Sequence, residues 1–552
     1  MEPTFSVATR GAALTAMASE TLDVLVVGGG ITGAGIARDA AMRGMRTALV
    51  DAGDFGGGTS CRSSRLVHGG LRYLEHGWLR LVFEASRERR TLLRIAPHLV
   101  RSRAFTFPVF GGGRRPAWQI WAGVWLYDAL AMFRNVHRAR PLGRGGVLRR
   151  EPLLRDHDLT GGAEYWDAQC DDARLTLATV RSAHRHGALC ANHARVAALE
   201  KAGGRIRGAT LVDTLTVATA AVRAHCVVNA TGPWTDAFRR LDEPEATRLL
   251  RPTKGVHVVV PRSRIGNAGA VTLTSPIDGR VMFVLPWGSR TVVGTTDTDT
   301  DEPPDTVAPS ADDVVYLLRS ANAIFPNARL QLHDVIAAWA GLRPLLRGGG
   351  TSTASVPREH RIEESASGLL TIAGGKLTTY RVMAEQVVDR VSRRLHEMDG
   401  RPLAPRPGTD REPLPGGEVA DVAALEAELI GDGVAATLAH RLVWAYGTES
   451  GAVRRLAREE PALAEPVAPG ARVLAAEVVH QARREMAVRV DDVLLRRTGL
   501  ALYDPAAARA AAARVAALLG AEQGWTEEEG AAAAARFTDA LTRMQEAYRP
   551  RA

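Results

Sequence analysis

A glycine-rich loop between an apolar strand pattern and a helical pattern constrains the N-terminal fold more than any other feature of this sequence. The strand pattern is short and continuous, which is typical of a strand buried on both faces of a parallel sheet. A second apolar run follows the helical pattern, so the order predicts a βαβ unit. The segments are, in order, the run 23–27, the loop Gly28, Gly29, Gly30, Ile31, Thr32 and Gly33, the helical stretch to Arg43 and the run 46–50.

The spacing of these glycines has a specific chemical meaning. Gly28 permits a tight turn, Gly30 lets the backbone approach a diphosphate, and Gly33 allows the helix to pack closely on the strand. The diphosphate then faces the N-terminus of the helix, whose backbone N–H groups bind anions. Asp51 follows the second strand, where an acid accepts hydrogen bonds from ribose hydroxyls. The pattern predicts a dinucleotide site without separating FAD from NAD, and its place near the start of a long chain favours FAD.

Length, charge and cysteine content set further limits. With 552 residues, 46% of them apolar, we expect two or three globular domains. The formal charge of +9 suits a membrane surface, an anionic substrate or a general arginine bias, but no run of Lys and Arg is dense enough to predict nucleic-acid binding. The cysteines stand far apart without metal-ligand spacing, so we expect a reducing compartment, no disulfide framework and no metal. They are Cys61, Cys170, Cys190 and Cys226.

Composition divides the chain into segments. Residues 1–19 are small and polar, and we expect them to form a disordered leader. Short strand patterns separated by turn residues between 256 and 294 predict an antiparallel sheet. Residues 401–418 are rich in Pro and Gly and predict a linker, and residues 419–552 have the composition and spacing of a C-terminal all-helical domain. No apolar run approaches the ~20 residues that a membrane-spanning helix needs.

A second set of motifs identifies a family. The segment TSCRSSRLVHGGLRYLE at 59–75 resembles the signature of FAD-dependent, quinone-linked glycerol-3-phosphate dehydrogenases. Arg65 stands where that family usually has Lys, which keeps the charge but changes the donor geometry, and Cys61 replaces a common Ser. Further matching segments are VNATGPW at 228–234, KGVH at 254–257, LPW at 285–287, GTTD at 294–297, GLRP at 341–344, GGKLTTYR at 374–381, EMA at 485–487 and DDVLLRRT at 491–498.

The resemblance implies a fold and a reaction. The fold is α/β, with a glutathione-reductase-like FAD-binding Rossmann domain, an antiparallel-sheet substrate domain and a C-terminal all-helical domain. The reaction is oxidation of sn-glycerol 3-phosphate to dihydroxyacetone phosphate on FAD, with the electrons passed to membrane quinone. We expect a cytoplasmic homodimer, peripheral on the inner face of the cell membrane. The resemblance implies an FAD-dependent oxidoreductase domain at 20–400. Its FAD-binding parts are at about 20–80, 165–250 and 345–400. Its substrate-binding parts are at about 81–164 and 251–344.

The resemblance also implies a set of FAD contacts. Side chains of the 59–68 segment would line the flavin ring. Val196 would contact the adenine, and the 230–234 segment would lie near the diphosphate. Lys376 begins a helix whose N–H groups would face the N1–C2 oxygen edge of the flavin, where a positive helix end stabilises negative charge. The implied cofactor-binding residues are Gly28, Gly30, Ile31, Thr32, Gly33, Asp51, Thr59, Ser60, Ser63, Ser64, Arg65, His68, Val196, Ala230, Thr231, Gly232, Trp234, Gly375, Lys376, Leu377 and Thr378.

The substrate phosphate requires fixed cations. By resemblance, Arg72, Arg343 and Lys376 converge on the substrate, and Arg358 is a further candidate. An arginine offers paired hydrogen bonds to phosphate oxygens, whereas a lysine offers a point charge. A lone arginine is more often a surface residue paired with a carboxylate, but Arg72 and Arg343 lie inside Gly- and Pro-rich motifs, which favours a functional role.

The proton acceptor for the substrate hydroxyl is left open between several groups. His68 and His257 both lie in family motifs, and an imidazole near its ordinary pKa accepts protons at neutral pH. Lys376 with a lowered pKa is a third candidate, and the histidines then serve only as flavin contacts. Tyr73 either holds a substrate oxygen or packs against its neighbours.

An aromatic segment at 117–133 indicates membrane contact. Trp118, Trp121 and Trp125 recur at three- and four-residue spacing, and arginines flank the segment on both sides. Rings at the level of lipid headgroups with cations beside them are typical of an interfacial helix. The alternative is an ordinary core helix, because aromatic residues at helical spacing are usually buried.

Three other functions remain open from the sequence. The first is an oxygen-using glycerol-3-phosphate oxidase on the same fold, although the extra insertion that such oxidases often carry is not evident. The second is an amine-oxidising relative, which the cation set disfavours. The third is a catalytically silent flavin-binding or membrane-scaffold protein.

Overall fold

The computed structural model describes residues 4–70, 73–74, 77–112, 116–131, 137–348 and 359–549. Its helices are α1 (Val7–Ser19), α2 (Ile31–Met42), α3 (Leu79–Ile95), α4 (Ala117–Leu130), α5 (Arg144–Arg150), α6 (Asp172–Arg185), α7 (Thr235–Asp242), α8 (Arg262–Ile265), α9 (Ala311–Ile324), α10 (Tyr380–Asp399), α11 (Val422–Gly431), α12 (Ala436–Tyr446), α13 (Ser450–Glu459), α14 (Ala475–Arg484), α15 (Leu500–Tyr503), α16 (Pro505–Gln523) and α17 (Glu527–Glu546). Its strands are β1 (Thr21–Val27), β2 (Thr47–Val50), β3 (Leu66–Val67), β4 (Val100–Phe110), β5 (Arg140–Gly143), β6 (Leu159–Cys170), β7 (Leu189–Ala191), β8 (Ala194–Ala202), β9 (Arg205–Asp213), β10 (Thr219–Asn229), β11 (Leu250–Pro261), β12 (Ala270–Thr274), β13 (Val281–Trp287), β14 (Arg290–Gly294), β15 (Thr298–Asp299), β16 (Ala337–Leu346), β17 (His360–Glu364) and β18 (Leu369–Gly374).

The first sheet contains the predicted βαβ unit at its centre. Its strands lie in the order β17, β18, β10, β1, β2, β7, with β9 beside β10 and β8 beside β9. Strand β1 pairs in parallel with both β10 and β2, and α2 connects β1 to β2. Val24 and Val26 pack with residues of α2 and α10 on one face, and Leu25 packs with residues of α1 and β9 on the other. Both faces are covered, which explains the continuous apolar run of β1.

The second sheet is mostly antiparallel and carries the region at 256–294, as predicted. Its strands lie in the order β15, β11, β14, β13, β12, β4, β6, β3, with β16 beside β11 and β5 beside β6. The expected boundary at 165 falls inside β6, which continues to Cys170. Leu66 and Val67 of β3 also belong to this sheet, because they pair with the end of β6. The chain therefore crosses from the first sheet to the second within residues 20–80, which the resemblance assigned entirely to FAD binding.

The expectation of a disordered leader is wrong for the described residues 4–19. Ser6 caps α1 in a reciprocal capping box with Thr9. Ala13 and Met17 are buried against the first sheet, and the Arg10 guanidinium forms a buried ion pair of 2.6 Å with Asp213. Alanine-rich sequence forms helix readily, and a narrow apolar stripe is sufficient to fix it on a neighbouring sheet.

The segment 401–418 has no helix or strand, yet it is packed on the first domain. Arg38 donates hydrogen bonds of 2.9 Å to the carbonyl oxygens of Thr409 and Glu412, and Leu414 is fully buried. Helices α11 to α17 follow it, as the all-helical prediction required.

Buried ion pairs join the C-terminal helices to α6. The Arg174 guanidinium bonds both oxygens of Glu485, and Arg181 bonds both oxygens of Glu449. Because a buried charge is stable only when it is paired, these contacts fix the docking of the helical domain.

In the part of the chain that the structure describes, no helix has the length and apolar character needed to span a membrane.

Candidate active site

A cavity of about 1230 Å³ is lined by residues of both sheets. Most of the predicted site residues line this cavity, although they come from segments far apart in the sequence. Arg72 and Arg358 lie outside the described residues, so the structure says nothing of them. The predicted residues that line the cavity are Gly28, Gly30, Ile31, Thr32, Asp51, Thr59, Ser60, Ser63, Ser64, His68, Tyr73, Val196, Ala230, Thr231, Gly232, Trp234, His257, Arg343, Gly375, Lys376, Leu377 and Thr378.

The glycine loop forms the floor of one end of the cavity. Gly28 has a φ of +105°, and a β-carbon there would lie 2.5 Å from the Ala230 carbonyl oxygen. A β-carbon at Gly33 would lie 1.8 Å from the Gly28 carbonyl oxygen. Gly33 therefore packs the helix against the loop and does not itself line the cavity, in keeping with the role predicted from its spacing. The N–H of Ile31 donates a 3.0 Å hydrogen bond to Ser60 Oγ, which fixes the start of α2.

Asp51 lies at the end of β2, where the sequence predicts a ribose contact. Its carboxylate accepts hydrogen bonds from the N–H groups of Gly29 at 2.7 Å and Gly53 at 2.8 Å. Burial raises the pKa of this carboxyl, and the two N–H groups act in the opposite direction. Each carboxylate oxygen has a second lone pair, so Asp51 retains the capacity to accept hydroxyl hydrogen bonds from a ligand.

Arg65 is not among the residues that line the cavity. Its backbone has a φ of +56°, and its guanidinium carbon lies 4.2 Å from the centroid of the Trp287 ring. Its Nε lies 3.9 Å from a carboxylate oxygen of the buried Asp172. A guanidinium stacks well on an aromatic face beside a carboxylate, so here the arginine packs the wall behind the site.

His257 lies in β11 and lines the same cavity. Its ring stacks on Trp339, with centroids 5.1 Å apart, and its Nε2 shares a 2.8 Å hydrogen bond with Ser64 Oγ. A β-carbon at Gly294 would lie 2.1 Å from the imidazole, so the ring is closely confined. Burial, and then the charges of Arg343 and Arg65, lower the pKa of His257 to about 3. The imidazole is therefore neutral at physiological pH.

Lys376, Tyr73 and His68 form a group on the facing side. Lys376 Nζ lies 3.6 Å from the centroid of the Tyr73 ring, and the rings of Tyr73 and His68 stack with centroids 6.5 Å apart. The backbone N–H of His68 donates a 3.3 Å hydrogen bond to Thr378 Oγ1, which joins this group to the turn before α10. This contact with the aromatic face restricts the position of the lysine side chain.

Arg343 is a second cation that lines the cavity. It projects from β16, and its guanidinium donates hydrogen bonds to Asp297 Oδ1 at 3.1 Å and to Thr295 Oγ1 at 3.0 Å. A β-carbon at Gly255, on the paired strand β11, would lie 2.5 Å from the guanidinium. The glycine leaves room for the side chain, and the two hydrogen bonds orient it.

The sequence missed several residues of the cavity. Helix α4 contributes Ile120, Gly123 and Leu126, and the C-terminal part contributes Arg489, Asp491 and Arg496. The segment DDVLLRRT matches a family motif, but its sequence does not predict a role for these charged residues in the cavity. The density of acids and arginines in that segment was the only available signal of a site.

Two helical N-termini lie at the cavity, and neither N-cap residue supplies a side-chain hydrogen bond. Helix α2 begins after Gly30, and the turn Leu377–Thr379 that leads into α10 begins after Lys376. Such termini bind anionic groups through backbone N–H. One lies beside Asp51 and the other lies beside His68. The diphosphate and the electron-rich edge of a flavin match these two positions, so the residues present fit FAD.

Comparisons with known proteins agree with this geometry. The family model described as FAD dependent oxidoreductase matches residues 23–390, and the one described as the C-terminal domain of alpha-glycerophosphate oxidase matches residues 407–530. The chain is 38% identical to glycerol-3-phosphate dehydrogenase 2 of Mycobacterium tuberculosis over 526 residues, which cover 94% of this chain and 88% of that protein. It is 36% identical to the aerobic glycerol-3-phosphate dehydrogenase of Staphylococcus haemolyticus over 491 residues, 87% of each.

A solved structure extends the likeness to the whole fold. The glycerol-3-phosphate dehydrogenase from Bacillus halodurans, complexed with FAD, superposes with a TM-score of 0.81 at 32% identity and covers 98% of both chains. The chain belongs to the FAD-dependent glycerol-3-phosphate dehydrogenase family. Membership of this family confirms the predicted oxidoreductase class, the fold and the FAD cofactor.

Proposed function

We propose that this chain oxidises sn-glycerol 3-phosphate to dihydroxyacetone phosphate on FAD and passes the electrons to membrane quinone. It acts as a homodimer, peripheral on the inner face of the cell membrane. The observation that carries the proposal is that Arg343, Lys376 and His68 meet in one cavity beside the loops predicted to hold the flavin. FAD, when bound, accepts the hydride equivalent from C2 of the substrate.

Arg343 and Lys376 bind the phosphoryl group of the substrate. Asp297 and Thr295 orient the guanidinium of Arg343, while its charge supports charge-assisted hydrogen bonds to phosphate oxygens. Lys376, held on the ring of Tyr73, adds a point charge in the same cavity. A phosphoryl group can accept charge-assisted hydrogen bonds from both cations, whereas a neutral polyol cannot, so the pair favours phosphorylated substrates. In this proposal, Arg72 and Arg358 are further cations that bind the phosphoryl group.

His68 accepts the proton of the C2 hydroxyl. It lines the cavity beside Tyr73 and the turn before α10. His257 is poorly suited to the same task, because a pKa of about 3 makes it a weak proton acceptor at neutral pH. His257 is a positioning residue instead, since its hydrogen bond to Ser64 fixes that hydroxyl in the cavity wall.

Helix α4 is the membrane-facing element. Trp118 and Trp125 are 62% and 64% exposed, although tryptophan is usually buried. Trp121 is turned further inward and donates a 2.7 Å hydrogen bond to the Gly162 carbonyl oxygen. Leu79 and Phe83 of α3 add exposed apolar surface beside α4. An exposed apolar surface with tryptophan rings suits the interfacial region of a bilayer.

The same helix connects the membrane face with the reaction site. It lines the cavity through Ile120 and Leu126, while its buried Tyr127 accepts a 2.7 Å hydrogen bond from the N–H of Gly69, next to His68. A lipid-bound α4 therefore brings the cavity close to the layer in which quinones dissolve. This arrangement supports quinone, rather than a soluble acceptor, as the oxidant.

Anaerobic reduction of the bound flavin tests the proposed substrate. Glycerol 3-phosphate is expected to bleach the flavin absorbance, whereas glycerol and amino acids are not. Arg343→Gln should raise the glycerol 3-phosphate concentration needed by about 100-fold, since charge-assisted hydrogen bonds to phosphate are lost. Arg251→Gln is the matched control, because Arg251 lies on β11 outside the cavity and pairs with Asp299. Bleaching by amino acids alone, or by no compound, contradicts the proposal.

The choice of oxidant separates a dehydrogenase from an oxidase. Reoxidation of the reduced protein by a short-chain quinone should be fast, and hydrogen peroxide formation in air without quinone should be slow. Stoichiometric hydrogen peroxide at a comparable rate would instead assign the oxidase function.

A further inference from the structure

The C-terminal domain forms part of the wall of the cofactor cavity. Arg489, Asp491 and Arg496 line it, together with the loop Asp51 to Asp54 that follows β2. Asp51 marks the adenosine side of the predicted dinucleotide site, because an acid at the end of the second strand contacts the ribose. The wall contributed by the helical domain therefore faces the adenosine-diphosphate half of FAD.

A buried cluster centred on Asp54 holds this wall in place. Arg497 donates hydrogen bonds to both oxygens of Asp54, and Arg496 Nε donates a further one at 2.6 Å. Asp492 accepts a hydrogen bond from Arg496 and accepts two more, at 2.8 Å, from the backbone N–H groups of Val488 and Arg489. The side chains of Asp54 and Asp492 are fully buried, so the charges that pair with them cannot leave without a large cost.

Arg496 keeps one donor group for a ligand. Its hydrogen bonds within the described residues use Nε and Nη2, while Nη1 makes none and is not buried. The side chain lines the cavity and is only 10% exposed, so the guanidinium is held firmly at the cavity wall. Its orientation is fixed before any ligand arrives, which reduces the entropy lost on binding.

Arg489 contributes a second cation at the same place. It is exposed at the cavity wall, and its guanidinium has no hydrogen-bond or ion-pair partner among the residues that the structure describes. An arginine without a carboxylate partner at the rim of a cavity favours an anionic ligand. Asp491 lies in the same wall, and its negative charge is balanced by the hydrogen bond that it accepts from Arg496 Nη2.

We propose that Arg489 and Arg496 bind the diphosphate of FAD, so that the C-terminal domain completes the cofactor site. The inference rests on the proposed placement of FAD, with its adenosine half beside Asp51. Its consequence is reciprocal: FAD stabilises the docking of the helical domain, and the docked domain slows the release of FAD.

The test compares two fragments of FAD as ligands of the full-length chain after removal of its flavin. Arg489→Gln and Arg496→Gln should each weaken ADP binding about tenfold, since each removes a charge-assisted contact to phosphate. Riboflavin binding should change less than about twofold, because riboflavin has no phosphate. Arg455→Gln, an exposed arginine of α13 outside the cavity, is the charge-matched control and should change neither affinity. In the holoenzyme, the fluorescence of released FAD should rise faster in both cavity variants than in the control.

Two results would overturn the inference. ADP affinity that is unchanged in both variants would show that the arginines do not contact the diphosphate. Parallel loss of ADP and riboflavin binding would show that the substitutions act by displacing the domain. Asp51→Ala tests the placement of FAD separately: if it leaves ADP binding unchanged, the placement itself fails. If it weakens ADP binding while the arginine variants do not, only the role of Arg489 and Arg496 is wrong.

Discussion

The guanidinium of Arg497 donates two hydrogen bonds to the carboxylate of Asp54, across 443 positions of sequence. Asp54 belongs to the loop after the first βαβ unit, and Arg497 belongs to the π-helical turn Asp492–Arg497 of the C-terminal domain. Both side chains are almost fully buried. This ion pair therefore links the wall of the cofactor cavity directly to the docking of the helical domain.

Removal of one partner of this pair should destabilise the folded chain. Arg497→Met is expected to lower the free energy of unfolding by about 3 kcal/mol, because it leaves Asp54 with less compensation in a buried site. The double variant Asp54→Asn with Arg497→Met should recover part of the loss. Urea denaturation of both variants measures the difference, and equal stability of the single variant and the wild type would contradict the role of this pair.

The glycine loop should tolerate no side chain at Gly33. Gly33→Ala places a methyl group where the Gly28 carbonyl oxygen lies, so we expect loss of at least about 2 kcal/mol and a protein purified with little flavin. Gly11→Ala is the matched control, because Gly11 lies in α1 with open space around it. It should stabilise the chain by up to about 1 kcal/mol through helix propensity. Thermal unfolding and the ratio of flavin to protein absorbance measure both effects.

The two histidines should respond differently to pH. The pKa of His257 lies near 3, below its ordinary value, so this imidazole is neutral throughout the neutral range and its titration does not shape the rate there. If His68 is the base, kcat/KM of the wild type falls on the acidic side as His68 becomes protonated. His68→Asn should remove this acidic limb and lower kcat by roughly 100-fold or more.

The matching variant His257→Asn should lower kcat while the acidic limb persists, because the positioning of Ser64 is lost and the base is retained. Measurement of kcat/KM between pH 5 and 9 for both variants decides the assignment. An acidic limb that disappears with His257 and persists without His68 would reverse it.

Exposed tryptophans of α4 should control membrane binding. The double variant Trp118→Ala and Trp125→Ala is expected to reduce partitioning onto anionic phospholipid vesicles about tenfold, since two interfacial rings are lost. Val217→Ala and Ile277→Ala, exposed apolar residues elsewhere, serve as controls. Cosedimentation with vesicles measures the bound fraction, and an unchanged fraction in the tryptophan variant would argue against α4 as the membrane-facing element.

At the candidate site, the sequence predicts backbone geometry where spacing and motif coincide, but it does not predict the direction of a long side chain. The spacing of the glycines dictates a turn and a close approach, and Gly28 and Gly33 behave as that spacing requires. Arg65 illustrates the opposite case. Its motif position suggested a flavin contact, but its long side chain follows the αL backbone to the ring of Trp287. No sequence pattern specifies that direction, because Trp287 is 222 positions away.

The sequence by itself determined the βαβ unit, the two kinds of sheet, the helical C-terminal domain and the family, because local periodicity and short motifs carry that information. Only the tertiary structure decided that residues 4–19 form a packed start to the first domain, that His257 is a buried neutral imidazole, and that Arg489 and Arg496 line the cavity. These properties depend on burial and on charge pairs between distant segments. Such pairs form only when the folded chain brings those segments together and excludes water from between them.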